Sequence, residues 1–210
     1  DPVEARQRLE LAFPGEIARA RAILLPTLGE HLTLEDEPFL AAVLANDRSK
    51  EVRQCAAALL SRLPASALAQ RMMARLDSCV RRERKLLRTV TLIEPPAAFA
   101  PYWKDDALEE QPPAGLKLGE RAWWLRQIVS YTPLCWWEDK LELDPSGVLA
   151  VAGKSEWKAA LLAGFRTALH HQPGHEAALE HFLHLGHVHV AAEHEPAGFD
   201  VASTGQHQQI

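Results

Sequence analysis

Over the first 77 residues, apolar positions recur at helical spacing and are separated by short polar breaks. Leu9, Ala12 and Phe13 share one face before Pro14-Gly15 ends the segment. Ile17, Ala20, Leu24 and Leu28 fall at i, i+3, i+7 and i+11, and Pro26 and Gly29 close that second helix. Glu37-Pro38 opens a third, whose buried edge is Phe39, Leu40, Val43 and Leu44. The fourth is the clearest: Val52, Cys55, Ala56, Leu59, Leu60 and Leu63 form one stripe. Asp47 is placed to cap it, and Pro64 ends it. Leu68, Met72 and Leu76 mark a fifth. Each helix has one apolar face and a short linker, so consecutive helices are expected to pack antiparallel in pairs.

The pattern then changes. Thr89-Val90-Thr91-Leu92-Ile93 is rich in β-branched residues and predicts a short strand. Seven prolines and glycines between Pro95 and Gly119 forbid long helices and define an irregular insertion near residues 88–119. Helical periodicity returns at Glu120, with Trp124, Leu125, Ile128 and Val129 as the stripe. Thr132-Pro133 predicts a capped restart. Ser155 is expected to cap a helix carrying Trp157, Leu161, Phe165 and Leu169, and His175 to Leu185 reads as a last, weaker one. The reading is a single helical domain over 1–190 and a flexible tail over 191–210.

Composition narrows the function classes. The 210 residues carry a net charge of −5, with 47% apolar and 24% charged residues, which is globular rather than disordered. The acidity argues against a dedicated binder of nucleic acid or anionic membrane. Cys55, Cys79 and Cys135 are too few and too scattered for a disulfide framework or a thiolate zinc site. No apolar run approaches the roughly 20 residues of a membrane helix. The charged start, without an initiator Met, points to a cytoplasmic product or a piece of a longer chain.

The segment Asp47-Arg48-Ser49-Lys50-Glu51-Val52-Arg53, followed by Cys55-Ala56-Ala57-Ala58-Leu59-Leu60, resembles the second-helix signature of HEAT repeats. Pro38 to Leu44 fits the first helix of the same repeat. The resemblance implies a short superhelix of stacked antiparallel helix pairs. It also implies an architectural Arg53 that reaches acidic or carbonyl groups of a neighbouring repeat. A wider resemblance is to an uncharacterised bacterial family with HEAT-like helices. It is carried by Asp36 to Leu40 through Val52-Arg53, by Leu63 to Met72, and by Lys104-Asp105-Asp106 through Gly119 to Leu125.

Four constellations could carry chemistry. Eight of the ten histidines lie between His170 and His194. The pairs His171/His175 and His181/His184, with Glu180, His187 and His189 nearby, have spacings that suit zinc. Pro173-Gly174 interrupts the first pair and His-Glu-x-x-His is absent, so solvated histidines are the better reading. Arg71, Arg75, Arg82 and Lys85 belong to a basic run that helical spacing would place on neighbouring faces, a footprint for phosphates. Trp103, Trp123 and Trp137, with Arg126, form the candidate partner surface, since adjacent tryptophans on one helix cannot all face a single core; packing of Trp123 and Trp137 against the proline-rich insertion is the somewhat better alternative. Asp105, Asp106, Glu109 and Glu110 read as a solvated acidic loop.

The expectation is therefore an all-α, HEAT-like protein with one irregular insertion, acting without cofactor or metal as a non-enzymatic scaffold for a protein partner. A nucleic-acid binder using the basic face and a metal binder using the C-terminal histidines are the alternatives.

Overall fold

The computed structural model describes residues 1–86 and 88–172. The helix expected over His175 to Leu185 and the tail over 191–210 lie outside the described residues. Helix α1, Pro2–Ala12, starts where Asp1 Oδ1 accepts the Val3 N–H at 3.0 Å. A 3-10 turn at Phe13–Gly15 leads into α2, Ala18–Leu24. The apolar stripe expected to continue to Leu28 breaks there, because Pro26 has no N–H to extend the helix and the backbone tightens to 3-10 over Leu25–His31. Leu25 is consequently buried in place of Ile17, which is 72% exposed.

Helices α3, Glu37–Asn46, and α4, Lys50–Leu60, form the closest-packed pair in this half. Val52, Ala56, Leu59 and Leu60 are buried, as the stripe predicts. The cap differs: Ser49, not Asp47, accepts the Val52 N–H. Asp47 instead accepts from the Ser49 N–H at 2.8 Å and from Arg21 at 2.8 and 3.0 Å, tying α2 to the corner between α3 and α4. Burial pushes the Asp47 carboxyl up, but Arg21 and the Ser49 N–H outweigh it and hold it below its ordinary value. Arg53 donates to the carbonyls of Leu44 at 2.7 Å, Lys104 at 2.5 Å and Asp105 at 3.2 Å, joining α3, α4 and the insertion.

Helix α5, Ala67–Cys79, is capped by Ser66 and buries Leu68, Met72 and Leu76. It runs directly into an antiparallel hairpin of β1, Val80–Lys85, and β2, Arg88–Ile93, in register from Val80↔Ile93 to Lys85↔Arg88. Only β2 was legible as a strand, so the fold is mostly helical with a small two-stranded sheet rather than all-α. A strand reading Val-Arg-Arg-Glu-Arg-Lys has no apolar alternation to betray it.

The insertion contains a 3-10 turn, Pro101–Asp106, and wraps helix α6, Glu120–Ser130. Trp124 Nε1 donates to the Glu110 carbonyl at 2.7 Å. The Gln127 amide bonds both the N–H and the carbonyl of Glu109, at 2.7 and 2.8 Å. Arg121 holds the carbonyls of Pro95 and Pro96 at 2.7 and 3.1 Å.

The other side of α6 packs on α9, Lys158–His171. Gly164 permits that approach: a Cβ there would lie 2.7 Å from Val129 Cβ and 2.9 Å from the Arg126 carbonyl. Between them lie α7, Leu134–Leu141, at the restart expected from Thr132-Pro133, and α8, Pro145–Gly153, which the periodicity did not reveal. Thr132 does not cap α7; its hydroxyl donates to the Ile128 carbonyl. The cap comes from afar, with Gln172 accepting the Leu134 N–H at 3.0 Å and donating to the Thr132 carbonyl at 3.0 Å. Ser155 accepts the Trp157 N–H at 3.1 Å, and α9 begins one residue later. One connected apolar core runs from Phe13 to Leu169. Among the described residues, no helix is long and apolar enough to cross a membrane.

Candidate functional site

The tryptophans expected at the surface are buried. Trp103, Trp123 and Trp137 are 6%, 9% and 1% exposed, so they form no external aromatic patch. The geometric premise fails because α6 is covered on two sides, by the insertion and by α9, which lets adjacent Trp123 and Trp124 both leave solvent. Trp137 stands edge-on to Phe165 at 5.0 Å. Trp103 packs edge-on against Phe99 at 5.3 Å and beneath Arg75 at 5.2 Å.

The basic run is divided rather than gathered. Arg71 and Arg75 lie on α5, and both donate to Asp106, which is 3% exposed; Arg71 reaches it at 2.5 and 3.0 Å. These two arginines neutralise a buried carboxylate and offer no free phosphate footprint. Arg82 and Lys85 lie on β1 instead of a helix, and Arg82 meets Glu142 at 2.8 Å in an exposed pair. The acidic loop is likewise distributed among separate partners. Glu109 takes Gln54 and Lys50, and Glu110 takes Lys104 at 2.9 Å. No group of three or more potential metal ligands converges among the described residues. Of the histidine pairs, only His171 lies among the described residues; His175, His181, His184, His187 and His189 lie outside them, as does Glu180.

Two features remain as candidate sites. The first is the hairpin. Arg81, Arg82 and Arg84 are exposed on β1, and Leu86 at the tip is wholly exposed. Among the described residues the sheet has two strands, and each strand has one edge with no described strand beside it. Sequence reasoning missed this element, although a strand at Thr89–Ile93 needs a neighbour and the preceding segment is the nearest candidate.

The second is a cleft of about 330 Å³ between α4, α6 and α9. Trp123 and Arg126 line it from α6, Gln54 and Glu51 from α4, and Tyr131 and His171 complete it. The Arg126 guanidinium lies over the Trp123 ring at 5.5 Å. Tyr131 and His171 stack at 5.9 Å with a 12° angle between rings. Burial pushes the Tyr131 phenol up and the His171 imidazole down, so both rings are neutral at pH 7. Arg126 is pushed below its ordinary value by burial and by the charge of Arg166. Of the four partner-surface residues expected from sequence, two, Trp123 and Arg126, therefore meet, but inside a cleft.

The architecture defines a mostly helical protein with a projecting antiparallel hairpin. Over residues 1–210 the chain matches a family of unknown function, DUF5691, and it belongs to that family. Neither the curated proteins nor the solved structures contain a match to it.

Proposed function

We propose that this chain is a non-enzymatic interaction module, a HEAT-like helical scaffold of the bacterial cytoplasm that engages a protein partner through its basic hairpin. One observation carries the reading. Arg81 and Arg84 project, and Arg82 pairs with Glu142, on a chain of net charge −5, beside a Leu86 that no other described residue covers. An apolar tip flanked by arginines suits a protein surface with an acidic rim and an apolar socket. A phosphate backbone would use the arginines but has no place for Leu86. The HEAT-like assignment draws support from Arg53, whose three carbonyl contacts join α4 to its neighbours. The non-enzymatic assignment draws support from Asp106, Glu109 and Glu110, whose carboxylates are engaged in ion pairs. The thiols of Cys55, Cys79 and Cys135 are all free, in keeping with a reducing compartment.

The test is a photo-crosslinking residue at position 86 in living cells, compared with the same protein carrying R81E, R82E and R84E. A discrete protein adduct that vanishes on charge reversal is expected. In parallel, binding of a labelled 20-nucleotide strand is followed across a salt series. Salt-sensitive binding that needs Arg82 and Lys85, with no protein adduct, would replace this reading with the nucleic-acid one.

A further inference from the structure

The hairpin leaves the cleft between α4, α6 and α9 without a role, and the cleft contains an anomaly. Half-buried arginines in this fold are otherwise matched to oxygen. Arg6 meets Asp36, Arg21 meets Asp47, and Arg75 meets Asp106. Arg53, Arg62 and Arg121 donate to backbone carbonyls. Arg126 is half-buried yet has no oxygen partner among the described residues; its one contact is the face of Trp123. A cation withdrawn from water without an acceptor is costly, and here the field of Arg166 adds to that cost.

From this geometry we infer that the cleft is a binding site for a small organic oxyanion, a carboxylate or phosphate carried on a flat body, with Arg126 as its anchor. A guanidinium held over an indole by its face leaves N–H donors for a bidentate oxyanion. The neutral stacked pair of Tyr131 and His171 supplies an aromatic wall, and Gln54 also lines the cleft. The cleft's volume of about 330 Å³ is at the small end of the range for ligand pockets. Glu51 lies at the exposed lip and carries the opposite charge, which disfavours a second anionic group at the far end of the ligand. The site is independent of the hairpin, and either can fail alone.

Benzoate, phenyl phosphate and neutral benzyl alcohol are titrated into the full chain while the indole N–H resonance of Trp123 is followed, assigned through Trp123→Phe. Benzoate or phenyl phosphate is expected to give a saturable shift, and the tighter of the two identifies the head group. Arg126→Met is expected to weaken that binding at least tenfold while leaving the melting temperature of the free protein unchanged or higher, because an uncompensated charge is removed. Arg126→Lys keeps charge and stem but loses the fork, and is expected to fold normally and bind more weakly than wild type. The inference is overturned if neither anion gives a saturable shift. It is equally overturned if benzyl alcohol binds as tightly, or if Arg126→Lys and Arg126→Met both bind the anion as the wild type does.

Discussion

Arg75 and Arg126 make the same local contact and meet different ends. Each lays its guanidinium over a buried tryptophan, Trp103 at 5.2 Å and Trp123 at 5.5 Å. Arg75 is matched by Asp106, a carboxylate that the 3-10 turn of the insertion delivers to α5 and that Arg71 shares. Around Arg126 the insertion delivers no carboxylate. Gln127, one residue on, takes the backbone of Glu109, while the Glu109 side chain turns to Lys50 and Gln54. The same arginine–indole stack is therefore a closed structural joint in one place and an open receptor in the other. What separates them is whether the chain supplies its own anion.

The largest effect is expected from making the closed joint resemble the open one. Asp106→Asn removes the charge that two arginines share and leaves Arg75, whose side chain is 9% exposed, uncompensated. Breaking a buried pair in this way costs about 3–5 kcal/mol, which lowers the melting temperature by roughly 10 °C in a chain of this size. Thermal unfolding followed by circular dichroism measures it. If Asp106→Asn melts with the wild type, Arg75 and Arg126 are equivalent and the distinction between joint and receptor collapses.

A smaller effect follows from Gly164, which sets how closely α9 approaches α6 beneath Arg126. A Cβ would meet Val129 at 2.7 Å and the Arg126 carbonyl at 2.9 Å, both on a helix that cannot yield locally. Gly164→Val is expected to cost about 2 kcal/mol by overpacking. By moving α9, which carries His171, away from α6, it should also weaken benzoate binding. Chemical denaturation measures the first and the Trp123 titration the second. Destabilisation without any change in binding would show that the cleft does not depend on this contact.

How much of this could be read from the chain alone depended on whether one face or several were being buried. The stripes of α4 and α5 were legible because each buries a single face, so Val52, Leu59, Leu68 and Met72 fall at helical spacing and are all buried. Helix α6 misled because it is covered on two sides, and a stripe argument has no means of counting covers. Trp123 therefore appeared surplus and proved to be core. The Asp106 joint was hidden because it links positions 31 and 35 residues apart through a turn with no periodicity. Strand β1 was hidden by its charges. Helix α8 was missed although Asp144-Pro145, a cap followed by proline at the first helical position, marks its start, with Asp144 accepting the Gly147 N–H at 2.8 Å. Of the open cleft, the sequence offered only Trp123 and Arg126, three residues apart on one helix. The missing carboxylate is a fact of tertiary structure.

The third arginine–carboxylate joint sharpens the contrast with the smallest effect, and it does so through pH. Asp47 is 6% exposed and its carboxyl is held below its ordinary value, because Arg21 and the Ser49 N–H outweigh the burial that would raise it. In the unfolded chain the same group titrates near 3.9. As pH falls, the unfolded state takes up this proton before the folded state does, so the joint's contribution is complete above the unfolded value and is lost as pH drops through the folded one. Asp47→Asn is expected to cost about 1.5 kcal/mol at pH 7, the low end for hydrogen bonds to charged groups, since asparagine keeps an acceptor. The two proteins should converge in melting temperature as pH falls through the folded value, where the wild-type carboxylate becomes neutral. A difference that does not narrow at all as pH falls below the unfolded value would mean that Asp47 acts through its shape and its Asx turn to Ser49 rather than through charge. The Arg21–Asp47 pair would then contribute nothing through charge, and the absence of an internal anion would no longer single out Arg126.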